Sequence, residues 1–142
     1  MQTSWMLEDG LAWGAISAAC RATGSSRLSC FQSFGRDVSP RVRQDGAAAF
    51  VPLCSQLPPE ERSACIRGAV YALADHTWDG RYAYPFCAAF VPGGVRVECF
   101  TEAHRHLLRS LEQPGETARR GCEMLGEGRD ACLTALQHIL TS

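Results

Sequence analysis

Apolar residues recur along this chain at helical spacing, and they do so four times in one register. Counting from Cys30, Cys65, Cys99 and Cys132, the next residue is apolar each time (Phe31, Ile66, Phe100, Leu133), as are the fourth (Phe34, Ala69, Ala103, Leu136) and the eighth (Val38, Leu73, Leu107, Leu140). Offsets of one, four and eight lie on one face of an α-helix. Upstream stand Cys20, Cys54, Cys87 and Cys122, each with another apolar residue four positions before it: Ile16, Phe50, Ala83 and Ala118. That interval is about one helical turn. Between the two cysteines of each pair lie helix breakers: Gly24-Ser25-Ser26, Pro58-Pro59-Glu60-Glu61, Pro92-Gly93-Gly94 and Gly126-Glu127-Gly128. Pro followed by acids is a helix-start signal and Gly a stop. The pattern predicts a short helix, a turn and a second helix in each unit.

The first cysteines recur every 33 to 35 residues, and so do the second ones. A period of this size marks a repeat array. The expected fold is therefore all-α, a single domain of 142 residues built of four tandem helical hairpins, near 5–38, 45–76, 80–112 and 115–142. Ser39-Pro40 and Gln44-Asp45-Gly46 mark two further breaks in the first unit. Since a hairpin cannot bury its apolar face alone, the units stack as a solenoid or close into a bundle. In period and helix pairing the whole chain resembles, at the level of architecture, the tetratricopeptide and Sel1-like repeats, which are protein-interaction solenoids. Some Sel1-like proteins bear a disulfide in each hairpin. The tetratricopeptide pattern of Trp, Leu-Gly, Tyr and Ala at fixed offsets is not present, and the resemblance carries over no functional residue.

Eight cysteines in so short a chain favour a disulfide framework formed in an oxidising compartment. The spacing superficially resembles that of the twin CX9C proteins, where both cysteines of a pair share one helix. Here the breakers put them on different, antiparallel helices, which favours one bridge stapling each hairpin. The rival arrangement joins Cys30–Cys54, Cys65–Cys87 and Cys99–Cys122 and leaves the end cysteines over. From this pairing the expected location is secreted or periplasmic, the alternative being a cytosolic chain with free thiols. The start carries Glu8 and Asp9 where a leader has positive charge, Gly14 interrupts Leu11–Ala19, and Ser17-Ala18-Ala19-Cys20 has Ser where a lipoprotein box has Leu. This stretch reads as a helix rather than a leader.

Composition narrows the function classes. The chain is 46% hydrophobic and 20% charged with a net charge of −1, and its Arg and acids are mixed, so it offers no stripe for nucleic acid. Its longest weakly charged stretches, Gly46–Pro59 and Tyr82–Val95, contain prolines and fall short of the roughly 18 apolar residues of a membrane span. All 14 basic residues are Arg, and Lys and Asn are absent, as in high-GC bacterial coding sequences. A chain of this length buries a core without metal or cofactor, and none is expected.

Candidate chemistry comes in four sets. Arg27, Arg62, Arg96 and Arg129 each precede the second cysteine by three residues; such regularity points to packing, with the head group on loop carbonyls or a neighbouring unit's acid, and otherwise to a ladder of anion-binding groups. The linker between units two and three gathers Asp75, His76, Trp78, Asp79, Arg81, Tyr82 and Tyr84. Trp, Tyr and Arg are the residues interfaces use as anchors, so this segment is the candidate binding surface, together with His104. Asp75, His76 and Asp79 lack a second His at fixed spacing. His104 and His106, two apart, point about 200° from each other on a helix and read as a solvated face.

The eight cysteines lack the C-x2–4-C spacing of zinc sites and the C-x-x-C of thiol redox motifs. A nucleophile elbow, phosphate loop, dinucleotide fingerprint and H-E-x-x-H motif are also missing. The expected function is a non-enzymatic protein-interaction or scaffold module with a protein partner. Two other readings stand beside it: a cysteine-rich bundle that binds a soft metal such as Cu(I) or performs thiol chemistry, and a small enzyme with a pocket between hairpins using His76, Asp79, His104 or His106.

Overall fold

The structure, a computed structural model, describes residues 13–142. Glu8, Asp9 and the beginning of the first expected unit lie outside the described residues. The helices are α1 (Trp13–Arg21), α2 (Arg27–Asp45), α3 (Val51–Ser55), α4 (Pro59–Thr77), α5 (Ala83–Ala88), α6 (Gly94–Arg105), α7 (Gly115–Glu123) and α8 (Arg129–Thr141). Short 3-10 turns at Gly24–Ser26 and Ala47–Ala49 precede α2 and α3, and α6 widens into a π-helical turn at His106–Ser110. Among the described residues there is no strand, and no helix is long and apolar enough to cross a membrane.

The helix ends follow from local chemistry. Pro59 opens α4 with Glu60 and Glu61 in its first turn, where a missing N–H costs nothing and negative charge meets the positive end of the helix dipole. Gly46, at φ 94°, ends α2, and Gly128, at φ 84°, precedes α8. The expected break at Ser39-Pro40 does not occur, because α2 runs through Pro40 to Asp45. Proline forfeits one backbone bond, to the carbonyl four residues back. Here Pro40 and Arg36 are both exposed, and water can serve that carbonyl.

Disulfides join Cys20–Cys30, Cys54–Cys65, Cys87–Cys99 and Cys122–Cys132, with Cα separations of 5.3 to 5.5 Å. Each links two helices consecutive in the chain, and all eight half-cystines are buried. Four such bridges suit an oxidising, extracellular-type compartment.

The second helices of these pairs lie side by side. Arg27 at the start of α2 reaches Glu60 and Glu61 at the start of α4, and Arg43 near the end of α2 meets His76 near the end of α4, so the two helices run in the same direction. Glycine lets their backbones touch. A Cβ on Gly35 would overlap the Cys65 carbonyl, and one on Gly68 the Gln32 carbonyl. Next along, Ser63 donates to Glu98 at 2.5 Å and Tyr71 to Glu102 at 3.0 Å, tying α4 to α6. His104 of α6 then bonds the Cys132 carbonyl of α8 at 2.9 Å. The core beneath is continuous from Ile16 to Ala135 and includes Phe31, Phe34, Ile66, Leu73, Phe86, Phe90 and Phe100. Burying each such side chain contributes about 1.5 to 3 kcal/mol.

Three of the four register arginines bridge one pair to the next. Arg27 donates to Glu61 at 2.6 Å, where Arg21 also binds at 2.7 Å. Arg62 lies 3.8 Å from Glu98. Arg96, almost wholly buried, donates to the Phe90 and Ala88 carbonyls at 2.9 and 2.6 Å and to Glu127 at 3.2 Å. Arg129, in the last pair, is exposed alongside Thr134, Gln137 and His138 on α8.

Candidate functional site

The linker after α4 and the helix α7 enclose a cleft of about 340 Å³. On the α7 side Thr117, Arg120, Gly121 and Met124 form one stripe, since residues three and four apart share a helical face. Pro85 at α5 and Leu125 add apolar wall. Met124 stands 87% exposed at the rim.

Asp79 and Arg81 form the opposite lip. The Asp79 carboxylate accepts from the Thr77 hydroxyl at 2.8 Å and from the Arg81 backbone N–H at 2.9 Å, and Arg81 returns its guanidinium to within 3.9 Å. Asp79 therefore builds the turn, a common use of a short acid in a loop. Just before it Trp78 closes α4, donating its N–H to Ala74 at 2.7 Å in a left-handed conformation, φ 60°. That conformation costs about 1 to 2 kcal/mol for a residue with a Cβ. Yet Trp78 is 56% exposed.

The floor of the cleft is closely packed. Gly80 and Gly121 flank the Tyr84 ring so closely that a Cβ on either would overlap it. Tyr84 is buried, and its hydroxyl meets His104 Nδ1 at 2.9 Å. Because His104 Nε2 faces a carbonyl, which can only accept, Nε2 carries the proton and Nδ1 accepts from Tyr84. Burial pushes His104 down to about 4 and Tyr84 up from its ordinary value, so both are neutral at pH 7. Tyr84 and His104, named with the binding candidates, therefore lie in the interior, and the solvated-face reading of His104 is corrected. Both are 0% exposed, because the two glycines admit the tyrosine ring into the core and the ring hands its hydroxyl to the imidazole.

His104 Nε2 also lies 3.7 Å from both Cys122 Sγ and Cys132 Sγ, a triad with metal-ligating elements. The two sulfurs are bonded to each other, and among the described residues no cysteine is free. In the oxidised chain there is no thiolate to join the imidazole.

The remaining candidates are engaged elsewhere. His106 donates to Asp75 at 2.7 Å and stacks on Tyr71, His76 accepts from Arg43 at 3.1 Å, and Tyr82 packs beside His76. A second, polar groove of about 370 Å³ lies over the glycine contact, with Gln32, Arg36, Tyr71 and Asp75 in its lining. Of the sequence candidates, Asp79 and Arg81 reach the α5–α7 cleft directly and Tyr84 supports it from below. Arg120 and Met124 were missed. The signal for them was the stripe at 117, 120, 121 and 124, where the α7 face toward the cleft carries no large buried residue.

No family model, curated protein or solved structure matches this chain.

Proposed function

We propose that the chain is a non-enzymatic binding module, four repeats of a disulfide-stapled helical hairpin stacked as a short solenoid, secreted or periplasmic, that holds a protein partner at the α5–α7 cleft and the adjoining Trp78. The observation that carries this reading is Trp78 itself. A bulky residue stands in a left-handed conformation that glycine would adopt freely, and its ring is displayed to solvent. Local strain of this kind persists where the side chain has a use, and exposed Trp and Met are favoured anchors at protein interfaces. Cross-linking of consecutive helices supports the same reading, since a frame held by four disulfides presents these side chains with little ordering cost on binding.

The test places a photo-cross-linking amino acid at Trp78, at Met124 and, as a control, at Thr134 on the polar face of α8, in the cells that make the protein. The expected result is one polypeptide joined at 78 and 124 and not at 134. Equal labelling at all three positions, or none at any, overturns the proposal.

A further inference from the structure

We infer that the α5–α7 cleft takes the C-terminal residue of a polypeptide, its large apolar side chain between Pro85 and Met124 and its α-carboxylate on Arg120; this rests on the binding-module reading above. Size comes first. A volume of about 340 Å³ is at the lower end of the roughly 300 to 1,000 Å³ of ligand pockets, and it suits one large side chain with its own backbone rather than a long segment.

Charge comes next. From the linker the cleft is faced by Asp79 and Arg81, which are paired with each other, and the Asp79 carboxylate is further occupied by Thr77 and the Arg81 N–H. On α7 the neighbouring Arg119 is taken by Glu116 at 2.7 Å. The Arg120 guanidinium has no hydrogen-bond or ion-pair partner among the described residues. The cleft thus carries one uncompensated guanidinium against an apolar wall. A guanidinium binds a carboxylate through two parallel hydrogen bonds, so the complementary ligand joins a carboxylate to an apolar group at short range.

A chain terminus meets that requirement and an internal acid does not. In a terminal residue the carboxylate and the side chain branch from one Cα. In an extended segment an acid and its apolar neighbour project to opposite faces, and only one of them enters a cleft this short. Capture of a terminal carboxylate is an established way for a module to recognise a peptide.

Fluorescence polarisation with the full chain tests the proposal, using labelled peptides Gly-Ser-Gly-Ser-Leu and Gly-Ser-Gly-Ser-Phe as free acids, the same peptides as C-terminal amides, and versions with an internal Asp beside Leu and an amidated end. The free acids are expected to bind about tenfold more tightly than the amides, the scale of one charge-assisted pair. R120Q should erase that difference and Met124→Asp should weaken every peptide. Both positions are exposed, so the variants are expected to melt with the wild type. Equal binding of acid and amide, or tighter binding of the internal-Asp peptide, overturns the terminal-carboxylate assignment while leaving the binding-module reading intact. Saturation by none of the peptides overturns the assignment as well. Failure of the cross-linking experiment removes the reading beneath it.

Discussion

His104 makes the stability of this protein depend on pH in a defined window. Its imidazole is held neutral in the fold, with a pKa lowered from 6.5 to about 4 by burial. Between those values the unfolded chain takes up a proton that the folded chain refuses, so stability is full above pH 6.5 and falls as pH drops toward 4. The shift corresponds to about 3 kcal/mol at most. Urea unfolding at pH 7, 5.5 and 4 should show that decline, and His104→Gln should flatten it. Glu61 acts lower on the scale: its hydrogen bond with Arg21, followed by that with Arg27, holds its carboxyl below the ordinary range, so its contribution is lost only as pH falls through that depressed value. The burial of His104 could have been read from the chain, since Phe100, Ala103, His104 and Leu107 make one helical face. Its comparison with His106 alone hid this. Tyr84 was less legible, because the space it occupies is made by Gly121, far along the sequence.

At the scale of helices, the closest joint is between α2 and α4. Gly68→Ala would drive a methyl into the Gln32 carbonyl and should cost about 3 kcal/mol or more, since backbone on the other side cannot yield. Gly14→Ala in α1 meets nothing within 4 Å among the described residues and should stabilise by up to about 1 kcal/mol from helix propensity. Thermal melting of the two variants checks both signs. The disulfides act on the same scale. Each closes a loop with a sequence separation of 10 to 12, so replacing both cysteines of one pair with Ala should lower stability by about 2 to 3 kcal/mol, checked by denaturant unfolding of the singly deleted forms. The turns were legible because Gly and Pro act locally. Pro40 was misjudged because a proline inside a helix costs one hydrogen bond, which the packing of Phe34, Val38 and Val42 in the core outweighs. The glycine joint was invisible, as Gly35 and Gly68 occupy different offsets from their cysteines.

Over the whole molecule, the register arginines tie successive pairs together, and their unequal surroundings predict unequal effects. Arg96→Ala strands the Phe90 and Ala88 carbonyls and frees Glu127, and should cost about 2 to 3 kcal/mol. Arg129→Ala, at the exposed end, should stay within about 0.5 kcal/mol of wild type. A similar loss for both, measured by chemical denaturation, would contradict this division of roles. What the sequence by itself determined is local: helical class from the spacing of apolar residues, turns from breakers, and the placement of paired cysteines on either side of a turn, all set by forces acting within a few residues. The tertiary structure decided which acids Arg27, Arg62 and Arg96 meet, that Tyr84 and His104 are interior, and that Arg120 and Met124 face Asp79 and Arg81 across a cleft. Those outcomes depend on how helices some thirty residues apart along the chain settle against one another. Side-chain volumes and glycine contacts between separate elements govern that packing, and no periodicity within one element records it.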